Sequence, residues 1–147
     1  MSERGQIEAI WIKRMKFAPM DATPTATLVT NRGIVGNANQ GGKRQVTIIE
    51  AEKWQAVMAQ LGSNLDPAAR RANLMVKGIR LTNQLNRILS LGNCRIRIWG
   101  ETRPCERMDM ALVGLKDALA TDWGGGAYGE VLDDGTINVG DAVGWLD

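Results

Sequence analysis

What most limits the fold of this chain is its punctuation: short runs with strand periodicity, broken by glycine-rich loops, recur along it without alternating regularly with helices. CRIRIW, residues 94–99, is the clearest run. Cys94, Ile96 and Ile98 fall on one face and Arg95, Arg97 and Trp99 on the other, which predicts a strand with the first set turned inward. IEAIWIKR (7–14) is apolar on both faces, as a central strand covered on both sides would be. ATLVT (26–30) and QVTIIE (45–50) are further β-rich runs. Asp66 and Pro67 suit an N-cap and first position for a short helical turn, after which NLMVKGI (73–79) returns to strand. YGEVLDDGTINVGDAVGWL (128–146) is expected to form two strands joined at Asp134-Gly135, a common hairpin signal.

Two stretches have helical periodicity. Trp54, Val57, Met58 and Leu61 follow i, i+3, i+4, i+7, and Gly62 stands where a C-cap is needed. A second helix is predicted over about 107–119, with Met108, Leu112 and the residues from Leu115 to Leu119 on its apolar side. The 147 residues make one domain, 1–147, large enough for a hydrophobic core without disulfide or metal staples. Hydrophobic content of 44% and charged content of 23% exclude a disordered chain. Many short strands with few helices, and no repeat or linker, predict a mainly β single domain with added α: a β-barrel with helical additions.

Composition also removes whole classes of chemistry. The chain has no histidine, so mechanisms that need a histidine base, ligand or triad are excluded. Eighteen Lys and Arg against 16 Asp and Glu leave a net charge of +2, and aromatic content is 5%, so general nucleic-acid binding is not expected. No apolar run is long enough to span a bilayer or form a signal peptide, so no membrane association and a cytoplasmic, reducing location are expected. The two cysteines stand in no metal-spaced motif.

Three segments carry candidate chemistry. In ETRPCERMD (101–109), Cys105 follows Pro104 and has Arg103 and Arg107 each two residues away. Nearby guanidinium groups and a following helix would stabilise its thiolate, making it a nucleophile or a soft metal ligand; Cys94, on an inward strand face, is expected only to pack. GNANQGGKRQV (36–46) could gather backbone N–H groups on an anion, aided by Lys43 and Arg44, or be an ordinary hairpin loop. It is not a P-loop, because GGKRQVTII runs into a strand. In ARRANLMVKGI (69–79), Arg70 and Arg71 could hold phosphate bidentately and Asn73 could meet a heterocycle edge, or the arginines could simply be solvated.

Together GNANQGGKRQVTIIEAE, RRANLMVKGI, RPCERMD and YGEVLDDGTINVGDAV resemble, in order and approximate spacing, the MOSC domain family, named for the C-terminal domain of molybdenum cofactor sulfurase. The resemblance runs from about the first strand to the final hairpin. It implies a pyruvate-kinase-type β-barrel and a role with molybdenum cofactor, or with sulfur carried as persulfide on a cysteine. Matched position by position, it implies that Cys105 is the catalytic thiol or a molybdenum ligand. Arg44, Arg71 and Asn73 then match cofactor-binding positions, and Lys43 and Arg103 are placed with them by their charge. Pyridoxal phosphate would enter only through a separate desulfurase domain or a cysteine desulfurase partner.

The chain also departs from the family pattern. Gly36-Asn37-Ala38-Asn39 stands where the family often has Gly-Asp-x-His, Ala72 separates Arg71 from Asn73, and WGGGAYG (123–129) lacks an arginine often found there. Three functions are therefore expected to compete: a sulfurtransferase, a molybdenum-cofactor-dependent reductase, and a non-catalytic anion-binding module that keeps only the barrel.

Overall fold

The computed structural model describes residues 4–146. In chain order the strands are β1 (Arg4–Lys13), β2 (Met20–Ala22), β3 (Thr25–Val29), β4 (Gly33–Ile34), β5 (Val46–Glu50), β6 (Leu74–Lys77), β7 (Ile88–Leu91), β8 (Cys94–Glu101), β9 (Ala127–Val131), β10 (Gly135–Asn138) and β11 (Ala142–Leu146). The helices are α1 (Ala51–Leu61), α2 (Arg107–Ala111) and α3 (Leu115–Leu119), with a 3₁₀ turn at Pro67–Arg70.

Seven strands close into a barrel in the order β11-β7-β8-β9-β5-β6-β1, sealed by the β1–β11 pairing. Closure leaves no long unpaired edge within this set, which suits strands as short as these. β1 is central, as its two apolar faces require. Its first residues pair with β11, its middle with β6 across an irregularity between Ile7 and Ala9, and its end with β2. β5 and β6 run parallel, and α1 lies in the crossover between them. A separate three-stranded sheet, β10-β3-β4, flanks the barrel.

The interior is aliphatic. Ile7, Ile48, Leu74, Leu89, Ile96 and Ile98 are fully buried in one cluster, and Cys94 lies among them as its strand face predicts. A second cluster joins Trp54, Val57 and Met58 of α1 to Met108, Leu115 and Leu119. Burying side chains of this size contributes roughly 1.5–3 kcal/mol each, so α1 anchors the segment after β8 in place. Gly62 ends α1 in the left-handed region at φ 62, where a side chain would be strained.

Two sequence expectations are corrected. The helix predicted over 107–119 is two short helices, because Leu112 turns extended (φ −160) and Gly114 takes φ 90. Asp109 Oδ1 then accepts from the Lys116 N–H at 2.9 Å and fixes the bend. The hairpin predicted at Asp134-Gly135 does not form. β10 leaves β9 and pairs with β3, from Gly135 opposite Leu28 to Asn138 opposite Thr25. Both aspartates are held elsewhere, Asp133 by a two-pronged contact with Arg95 and Asp134 by the Thr30 N–H at 2.7 Å. Among the described residues no helix is long and apolar enough to cross a membrane.

Candidate functional site

A cavity of about 340 Å³ is lined from several directions by residues that end, follow or precede strands: Lys13, Arg44, Arg70 to Asn73, Thr102, Cys105, Arg107 and Gly125. Five of the lining side chains are cationic, Lys13, Arg44, Arg70, Arg71 and Arg107, and no carboxylate lines it. Among the described residues none of the five is in a salt bridge. Cations gathered without counter-charges repel one another and favour an anion between them.

The 3₁₀ turn explains how two adjacent arginines both reach this space. Asp66 caps the turn by accepting from the Ala68 N–H at 2.9 Å, and Arg71 closes it in the left-handed region at φ 64. Arg70 is thereby buried. Its Nε donates to the Gly125 carbonyl at 3.1 Å and its Nη2 to the Thr102 carbonyl at 3.0 Å, while Nη1 lies 3.9 Å from Met108 Sδ. Burial above all, then the charge of Arg44, lowers its pKa to about 10, and Cys105 acts in the opposite sense. Arg71 is half-buried, and its Nη1 donates to the Ala18 carbonyl at 2.7 Å. Arg107 stacks its guanidinium over the Phe17 ring at 4.2 Å. Two cavity cations therefore pin the 14–19 turn between β1 and β2.

Lys13, at the end of β1, faces the same space. Burial first, then Arg71, Arg44 and Lys16, push its ammonium below the usual lysine range. Cys105 is exposed and lines the cavity, whereas Cys94 is buried, and both are free thiols. Thr102 is only 4% exposed, and its Oγ1 has no hydrogen-bond partner.

Asn73 has a different setting from the one its motif suggests. Its Oδ1 accepts from the Thr47 N–H and hydroxyl at 3.1 and 3.3 Å, and its Nδ2 donates to the Trp11 carbonyl at 3.2 Å and to Asn37 Oδ1 at 3.0 Å. Asn37 Oδ1 also accepts from the Lys13 N–H at 2.9 Å. The two asparagines are a buried brace that ties β1, β5 and β6 together behind Lys13.

Of the residues singled out from sequence, Cys105, Arg44, Arg71 and Asn73 are brought together around the cavity. Lys43 and Arg103 are not among its lining residues. Lys43 lies over the Trp99 ring at 4.7 Å, while its neighbour Arg44 lies near Tyr128 at 5.4 Å, as adjacent residues entering a strand diverge. The Arg103 side chain is 86% exposed and 4.0 Å from Glu101. Of the other lining cations, Arg70 stands out in the sequence as a possible phosphate holder and Arg107 as a charge beside Cys105, and only Lys13 is not singled out there. Doubled arginines signalled Arg70, and the ETRPCERMD run signalled Arg107; nothing local marked Lys13.

The fold is that of a small closed-barrel protein in which one cavity gathers five cations and an exposed thiol. The chain belongs to the MOSC domain family, whose family model matches residues 34–144. That family is associated with molybdenum cofactor proteins. Among solved structures it is similar to the YuaD protein of Bacillus subtilis, with 18% identity, 99% of this chain and 98% of that chain covered, and a TM-score of 0.80. It is also similar to YiiM from Geobacillus stearothermophilus (17% identity, 97% and 75% covered, TM-score 0.79) and to YiiM from Escherichia coli (14% identity, 97% and 70% covered, TM-score 0.73). At these identities the likeness shows the shared fold. A search of curated proteins finds no match to this chain.

Proposed function

We propose that the cavity binds an anionic, phosphate-bearing pterin of the molybdenum-cofactor type and that Cys105 carries sulfur beside it as a persulfide. The observation that carries this reading is the charge balance of the lining: five cations, no carboxylate, and an exposed thiol. Those residues fit the group. Arg44, Arg71, Lys13 and Arg107 would hold its negative charge, with arginine forks suited to phosphate oxygens. When bound, the cofactor supplies a phosphate-bearing pterin and a molybdenum centre that takes soft sulfur ligands.

The chain's own residues do the rest. Arg70 fixes the Thr102 and Gly125 carbonyls and so sets the path of the Cys105 loop, and the 14–19 turn held by Arg71 and Arg107 narrows one side. Cys105, as thiolate, accepts sulfane sulfur from a persulfide donor such as a cysteine desulfurase, which would bring pyridoxal phosphate on its own domain. A reducing compartment such as the cytoplasm belongs to this reading, because it keeps a carrier thiol free to be loaded.

Sulfur carriage is favoured over molybdenum-centred reduction of a substrate because that reduction consumes protons. The cavity lining has no imidazole or carboxylate to deliver them, and Asn37 and Asn39 occupy the positions where the family often has Asp and His. The test is the mass of protein purified under non-reducing conditions from its own host. An added sulfur on Cys105, removed by thiol reductant and missing from Cys105→Ser, is expected. A bare thiol together with stoichiometric molybdenum lost on Cys105→Ser would instead assign ligation, and neither would leave a binding module.

A further inference from the structure

We propose that a small sulfane-sulfur dianion of the thiosulfate class donates sulfur directly to Cys105. The proposal rests on Cys105 being a sulfur carrier and adds a donor to that reading.

A thiolate attacking thiosulfate brings a single negative charge against two, a repulsion of about 1 kcal/mol per charge pair at 4 Å in water and several-fold larger at a partly buried site. Such a reaction needs fixed positive charge already in place. The Cys105 cavity supplies it, with five cationic side chains and no lining carboxylate. A protein-borne alkyl persulfide would bring no more than one negative charge and needs these cations less, whereas the cations that would hold a cofactor phosphate suit a small dianion equally well.

The second observation is Thr102. Thr102 is one of the residues lining the same cavity, and among the described residues its Oγ1 is the buried side-chain polar atom that finds no partner. A buried hydroxyl without a partner is costly, and a sulfonate oxygen is an acceptor that would satisfy it. A cavity of about 340 Å³ holds an anion of this size with room for water.

The step balances without any other reagent. Cys105 Sγ, as thiolate, attacks the outer sulfur of thiosulfate, and a new S–S bond forms. The bond between the outer sulfur and the sulfonate sulfur breaks, and its electron pair leaves with sulfite. The products are the Cys105 persulfide anion and sulfite, with the same total charge as the reactants. The cations that hold the sulfonate in the donor hold the same oxygens as sulfite departs.

The experiment treats reduced, desalted full-length protein with sodium thiosulfate and, separately, with sodium polysulfide. It measures released sulfite, intact mass, and thiocyanate formed when cyanide strips the loaded sulfur. One sulfite and one added sulfur on Cys105 per chain are expected from thiosulfate, and neither from Cys105→Ser. In the double variant Arg44→Gln, Arg71→Gln, checked for an unchanged fold by circular dichroism, the half-saturating thiosulfate concentration should rise at least about tenfold. If polysulfide loads Cys105 but thiosulfate releases no sulfite, or if the double variant uses thiosulfate as well as the parent, the donor assignment is overturned and the carrier reading stands. If neither reagent loads Cys105, both fall.

Discussion

Arg70 donates from Nη2 to the main-chain carbonyl oxygen of Thr102 at 3.0 Å, so a buried guanidinium holds the chain at the point where β8 gives way to the Cys105 loop. The same side chain reaches the Gly125 carbonyl, joining the loop to the glycine run before β9. Arg70→Met removes donors from two carbonyls and is expected to cost about 2–4 kcal/mol in urea unfolding. Arg70→Lys keeps the charge without the fork and should lose less. An unchanged midpoint in Arg70→Met would show that the loop needs no such tie.

Gly125 makes room for that tie. A Cβ there would fall on the Thr102 carbonyl oxygen and lie 3.1 Å from Arg70 Nη2. Gly125→Ala should therefore destabilise by about 1–3 kcal/mol and change the labelling rate of Cys105 in the remaining folded protein. Both are read from denaturant titration and thiol kinetics.

The two thiols should separate cleanly. Cys105 is exposed, while burial, reinforced by Asp133, Asp134 and Asp141, pushes the Cys94 thiol up. A thiol reagent should titrate one cysteine in the native protein and both in denaturant. Cys105→Ser is expected to change stability by less than about 0.5 kcal/mol, whereas Cys94→Ser puts a hydroxyl into an aliphatic core and should cost about 1–3 kcal/mol.

How much of this was legible in the residues depends on the range of the interaction that decides each feature. Local patterns carried the strand faces at Cys94, Ile96 and Ile98, the cap at Gly62 and the charged setting of Cys105. Features set by distant partners did not show. β10 pairs with β3 because Asp133 and Asp134 are held by Arg95 and Thr30, far away in sequence. Lys13 joins Arg44 and Arg71 only because the barrel closes, and Lys43 misses the cavity because adjacent residues entering a strand diverge. β7, with the short sequence ILSL, has too few residues for its alternation to stand out.

The asparagine brace gives a contrast between shape and charge. Asn73→Leu strands the Thr47 N–H and the Trp11 carbonyl and should cost about 2–4 kcal/mol. Asn37→Asp keeps an oxygen that accepts from the Lys13 N–H and Asn73, and loses only a 3.5 Å contact to the Asn39 carbonyl. It should change stability by less than about 1 kcal/mol, as measured by thermal unfolding.

Anion binding should weaken as pH rises toward the lysine range. Burial, then Arg71, Arg44 and Lys16, hold Lys13 below its usual pKa, and a bound anion would raise it again. Between those two values binding takes up a proton, so affinity falls with increasing pH there and is steady below. The stability term has the opposite sign. Above about 10, where folded Arg70 sheds its proton while the unfolded chain keeps it, that residue's contribution rises with pH. Calorimetric titration in buffers of different ionisation heat measures the proton uptake.

The most direct test is calorimetric titration of molybdenum cofactor, freshly released from a carrier protein, into the parent chain and into the Arg44→Gln, Arg71→Gln variant under anaerobic conditions. Saturable one-to-one binding by the parent, weakened at least about a hundredfold in the variant with an unchanged melting temperature, is the predicted result. Equal binding by both proteins, or none by either, would contradict a cationic cavity built for an anionic guest.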